Sequence, residues 1–157
     1  MASVLRPATE QDVGRIAEIW HVGWHDGHAG HVPDGLTAVR TRPAFDARAA
    51  ARLGQTTVAV AHGEVAGFVM VVGDEVEQLF VAREHRGTGV ADTLLAEGER
   101  QIMAAGRAVP WLAVVEGNAR ARRFYERNGW HDVGPLPYHV QVDGQEFVSP
   151  CRRYERG

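Results

Sequence analysis

At 157 residues the chain has the length of one domain, and by the usual scaling about 70% of its unfolded surface is buried on folding. Its formal charge of -3 excludes a general attraction to nucleic acid or to an anionic membrane, either of which calls for a basic face. A lone cysteine, Cys151, excludes an intramolecular disulfide framework and suits a reducing cytoplasm, and no apolar run reaches the length of a signal peptide or a membrane span.

In chain order, Ser3 to Arg6 reads as a short strand closed by Pro7. Thr9, followed by Glu10 and Asp12, caps a helix with the apolar stripe Val13, Ile16, Ala17, Trp20 and Trp24, and Gly23 and Gly27 predict that this helix frays near Trp24. Gly30, Pro33 and Gly35 then mark a loop, before Pro43 or its neighbour opens an alanine-rich helix ending near Leu53 and Gly54. From Thr57 the period changes to two. Thr57 to Ala61, Glu64 to Val72 and Glu75 to Val81 read as an antiparallel meander turned at His62-Gly63 and Gly73-Asp74.

A helix is predicted from about Thr88 to Ala105, stopped by Gly106, and Trp111 to Val115 follows as an apolar strand. A right-handed crossover makes that strand parallel to the one before the helix. Asn118 opens a further helix, closed by Asn128-Gly129. After Pro135 and Pro137, Tyr138 to Val142 and Gln145 to Val148 flank the hairpin turn Asp143-Gly144. These elements predict an α/β fold in which a mixed, mostly antiparallel sheet is flanked by helices over residues 1–157.

The most informative stretch joins the meander to the long helix. Leu79-Phe80-Val81 ends a strand, and Arg86-Gly87-Thr88-Gly89-Val90-Ala91 leads into a helix start. Glycines there remove the Cβ atoms that keep a ligand off the backbone, and the unpaired amides of a helix start make an anion cradle. Neither a third glycine at dinucleotide spacing nor a closing Gly-Lys-Ser/Thr is present. The string resembles the pyrophosphate loop of the GNAT family of N-acetyltransferases, with Arg83 where the family usually has a proline.

Asn118, Ala119, Phe124-Tyr125 and Gly129-Trp130 are similar to the family's second motif, and the element order is also that of the GNAT fold. The resemblance implies an acyltransferase, an acetyl-CoA-dependent N-acetyltransferase of the cytoplasm that acts on a primary amine by direct attack. Acetyl-CoA would lie against Leu79, Phe80, Val81, residues Arg86 to Ala91, Asn118 and Tyr125. Tyr125 would protonate the leaving thiolate. The arginines Arg120, Arg122, Arg123 and Arg127 either assist the CoA polyanion or form a solvated helix face.

The acceptor amine must lose a proton before it attacks, and Glu75, Glu77 or a water chain takes it. Alternation puts both glutamates on the strand face of Leu79 and Val81. The loop after the first helix walls the acceptor pocket in this family, which makes Trp24, His25 and His28 substrate-binding candidates. His21, His25 and His28 have helical spacing, but no acidic or cysteine ligand completes a metal motif, so no metal is expected. A non-catalytic acyl-CoA-binding or regulatory domain and a His-rich metal-binding protein are the alternatives. The late hairpin, with Val140, Val142, Phe147 and Val148, predicts a possible homodimer through a sheet edge.

Overall fold

The structure, a computed structural model, describes residues 3–106 and 109–157. Its strands are β1 (Val4–Pro7), β2 (Thr56–Ala61), β3 (Glu64–Val72), β4 (Glu75–Val81), β5 (Trp111–Val115), β6 (His131–Val142) and β7 (Gln145–Glu155), and its helices are α1 (Val13–His28), α2 (Asp34–Val39), α3 (Arg42–Ala51), α4 (Val90–Ala104) and α5 (Ala119–Arg127). The strands form one sheet in the order β1-β2-β3-β4-β5-β7-β6. Every neighbouring pair is antiparallel except β4 and β5.

Each sheet face has its own core. On one, Ile16 and Trp20 of α1 and Phe45 of α3 pack with Phe68 of β3; the Trp20 ring lies 5.4 Å from Phe45 and 5.7 Å from Phe68. On the other, Leu94, Leu95 and Ile102 of α4 join Val69, Val76, Trp130 and Tyr154. Burying such side chains supplies about 1.5 to 3 kcal/mol each, so the two layers carry most of the stabilisation.

α1 corrects the sequence reading. It continues to His28, past both glycines. A Cβ on Gly23 would stand 2.5 Å from the Phe80 ring of β4, and one on Gly27 would stand 2.7 Å from Nδ2 of Asn118. The glycines bring α1 down onto the sheet rather than ending it. The loop after α1 likewise contains a short helix, α2, that includes Gly35.

The last two strands exceed expectation as well, at 12 and 11 residues. Pro135 and Pro137 lie inside β6 rather than before it, where an outermost strand tolerates a missing N–H. Much of the apolar surface expected to drive self-association is used internally: Phe147 is 7% exposed, and Val140 and Val142 pack against the α1 core. Val148 remains 42% exposed. No helix among the described residues is long and apolar enough to cross a membrane.

Candidate active site

β4 and β5 pair at one register position, Glu75 with Trp111. Asp74 clamps that end: its carbonyl accepts from the Trp111 amide at 3.1 Å, and its carboxylate accepts from the indole Nε1 at 2.9 Å. Beyond it the two strands form no ladder, so the β5-facing edge of Leu79 to Val81 has no strand partner. A cavity of about 710 Å³ is lined there by Leu79 and Phe80 from β4, Val114 and Val115 from β5, and Asn118 and Tyr125 of α5.

The β3–β4 register slips by one residue: Met70 pairs with Gln78, but Val71 pairs with Val76, leaving Glu77 as a bulge. A bulge inverts side-chain alternation. Leu79 and Val81 therefore pack with the α4 core, whereas Glu75 and Glu77 meet Tyr138 and Arg52 on the opposite side of the sheet. The expectation that both glutamates share the face of Leu79 and Val81 is thus overturned, although both still line the cavity.

Past β4, Arg83–His85 forms a short 3-10 turn, and Gly87 and Gly89 adopt φ of 76° and 89°. Only glycine takes such angles at little cost, and no atom stands within 4 Å of where either Cβ would be. The first helical bond of α4 runs from the Thr93 amide to the Gly89 carbonyl, so the amides of Val90, Ala91 and Asp92 precede it without helical acceptors. Thr88 donates its hydroxyl proton to the His85 carbonyl. Arg86 is tied back to Asp26 of α1 at 3.0 Å, beside Arg83 at 2.6 Å, and the two guanidiniums hold Asp26 down at about 2. Val81 and residues 86–91 lie outside the cavity lining.

Asn118 caps α5, its Oδ1 accepting from the Ala121 amide at 3.2 Å. Two turns on, Tyr125 is half-buried, and among the described residues its hydroxyl has no hydrogen-bond partner. Desolvation raises its pKa above the ordinary phenol value, so it remains a proton donor. Arg122 pairs with Asp132, as Arg152 of β7 also does, which gives that member of the basic cluster a structural role.

On the far side of the sheet, burial pushes Glu75 up to about 7, even though the Tyr138 hydroxyl at 2.9 Å favours its charged form. Glu77 is engaged by Arg52 at 3.3 Å. Trp24 and His28 line the cavity with their rings stacked at 4.7 Å. Burial drives His28 down to about 4, so it is neutral at physiological pH. His25 lies outside the lining, its Nε2 2.8 Å from the Arg40 carbonyl. Among the described residues, three potential ligand side chains converge within 4.8 Å at Glu64, Glu84 and His85, none of them from α1.

Sequence reasoning missed Tyr138, Arg40, Arg48 and Cys151, which all line the cavity. Burial raises the Cys151 thiol to about 11, so it carries little thiolate at neutral pH and is a poor nucleophile. No local pattern marks these residues, because each reaches the cavity through long-range packing.

Comparison with known proteins bears on the fold. The structure resembles a GCN5-related N-acetyltransferase from Rhodopseudomonas palustris (TM-score 0.76, 21% identity, 98% of this chain and 95% of that one). It also resembles the PaiA N-acetyltransferase of Thermoplasma acidophilum in complex with coenzyme A (0.74, 19%, 99% and 99%). A third neighbour is a ribosomal-protein-alanine N-acetyltransferase from Brucella melitensis (0.73, 20%, 97% and 98%). At these identities the likeness concerns the fold. No curated protein sequence matches the chain. The family model described as Acetyltransferase (GNAT) family matches residues 29–130, about two thirds of the sequence and including the glycine turn, Asn118 and Tyr125, and the chain belongs to that family.

Proposed function

We propose that this acetyltransferase moves an acetyl group from acetyl-CoA to a primary amine by direct attack, as one cytoplasmic domain spanning residues 1–157. The observation that carries the reading is the cavity between the unpaired ends of β4 and β5, where Tyr125 and Glu75 line the same space. The glycine turn fits a pyrophosphate, with room where Cβ atoms would stand and three amides ahead of the first helical bond. The free edge of Leu79 to Val81 suits strand-like hydrogen bonds to an extended pantetheine arm. Family membership and a CoA-bound neighbour of the same fold support the donor.

Bound there, acetyl-CoA supplies the thioester carbonyl as electrophile. Glu75, which titrates near neutrality, takes the ammonium proton directly or through one water. The Tyr125 hydroxyl donates its hydrogen bond to the sulfur as the C–S bond breaks. Trp24 and His28 shape the acceptor end, and the protonated Cys151 favours direct attack over an acyl-cysteine route.

Incubating the protein with acetyl-CoA and a broad panel of primary amines, and following free thiol with mass detection of the N-acetyl product, tests the proposal. Amine-dependent thiol release supports it. CoA binding without release for any amine favours the non-catalytic acyl-CoA-binding alternative.

A further inference from the structure

Two guanidiniums line the cavity, and among the described residues no carboxylate forms an ion pair with either. Arg40, at the end of α2, is 7% exposed, and its Nε is buried without a hydrogen-bond partner among the described residues. Arg48 of α3 lies 4.2 Å over the Trp20 ring, and its Nη1 is also buried and unpartnered. Among the described residues neither forms an ion pair, whereas Arg52 beside them pairs with Glu77.

A buried guanidinium without an anion is costly, and two near each other add repulsion. Burial and mutual repulsion lower Arg48 to about 9, which leaves it charged at neutral pH. Stacking on Trp20 uses only the face of the guanidinium; its in-plane N–H groups remain free for an oxyanion. The nearby acids do not balance the charge, since Glu77 is already engaged and Glu75 is about half protonated near pH 7. Arg48 nonetheless lies within electrostatic reach of Glu77, and Tyr138, which bonds Glu75, lines the same cavity, so the two cations and the proposed base share one region.

We infer that Arg40 and Arg48 form an oxyanion subsite, and that the acceptor is an amine that also carries a carboxylate, a small amino-acid-like molecule whose anionic end sits on these arginines while its amine faces Glu75. The inference rests on the acetyl-transfer reading for the role of the amine, but not for the binding of the anion.

The test titrates the CoA-saturated protein calorimetrically with the proteinogenic L-amino acids and, for each that binds, with its carboxamide. At least one acid binds roughly tenfold or more tightly than its carboxamide, the worth of a charge-assisted hydrogen bond, and the preference falls to about twofold or less in Arg40→Gln and in Arg48→Gln. Arg48→Lys keeps the charge without the planar fork and restores part of the preference. Carboxamides binding as tightly as acids, no acid binding at all, or CoA affinity lost in the arginine variants each overturns the inference. The wild-type comparison stands even if a variant fails to fold. Acid-selective binding without thiol release would keep the subsite and remove acetyl transfer; equal turnover of amines with and without a carboxylate would do the reverse.

Discussion

The Tyr138 hydroxyl donates a 2.9 Å hydrogen bond to Oε2 of Glu75, joining β6 to β4 although β5 and β7 stand between them in the sheet. The bond holds the proposed base while burial raises it to about 7. kcat/KM is therefore predicted to rise with pH through one ionisation near 7. Glu75→Gln should lower turnover by about 10² to 10⁴ and remove that limb. Tyr138→Phe deletes a bond that favours the carboxylate, so its limb should move to higher pH. A pH–rate profile unchanged in Glu75→Gln would exclude Glu75 as the base.

Stability should respond to Glu75 and His28 in opposite senses. Glu75 is raised from 4.5 to about 7, so its contribution is full below 4.5 and is lost as pH rises through 7. His28 is depressed from 6.5 to about 4, so its contribution is full above 6.5 and is lost as pH falls through 4. Melting temperatures across pH 4 to 8 should thus decline less on the alkaline side in Glu75→Gln, and less on the acid side in His28→Gln, than in the wild type. Parallel curves for all three proteins would contradict both assignments.

The glycine turn needs a probe that leaves its backbone alone. Gly89→Val is unsuitable, since φ of 89° strains any β-branched residue whatever ligand is present. Thr88→Glu instead adds a negative charge to an exposed position of the same turn. Repulsion of about 1 to 4 kcal/mol predicts a loss of CoA affinity of roughly tenfold or more, diminishing with added salt, while loss of the hydroxyl's bond to the His85 carbonyl costs about 1 kcal/mol of stability that added salt does not restore. Undiminished affinity by calorimetry would place the pyrophosphate elsewhere.

Gly23 offers a test of packing in which two effects oppose. Alanine raises helix propensity by about 1 kcal/mol, but its Cβ would sit 2.5 Å from the Phe80 ring. Overpacking costs typically about 1 to 3 kcal/mol, so Gly23→Ala should be net destabilising and lower the melting temperature by a few degrees. An increase would mean that Phe80 moves aside freely.

What the sequence made legible was local. The Asn118 cap, the glycine turn, the hairpin turns and the meander are set by residues a few positions apart, and they fold where their chemistry predicts. Gly23 and Gly27 were misleading because a glycine in a helix marks either a break or a close neighbour, and Phe80 and Asn118 are distant in sequence. The Glu77 bulge is invisible to alternation, since the extra residue is defined only against β3. Tyr138, 63 residues from Glu75, lies within the predicted strand, but it reaches the site only because β7 continues past Val148 and docks the hairpin on β5.

The central claim concerns one oxygen atom. Tyr125→Phe keeps the ring that packs 5.2 Å from Phe124 and 6.1 Å from Tyr154 and removes only the hydroxyl, for which no partner exists among the described residues. The decisive measurement is thiol release from acetyl-CoA by this variant, beside CoA affinity and melting temperature. The account predicts turnover lower by about tenfold or more with the other two quantities little changed, and a smaller loss with a donor whose leaving group is better than CoA thiolate. Full turnover in Tyr125→Phe would contradict it, leaving Tyr125 a packing residue and assigning stabilisation of the thiolate to water or a backbone amide.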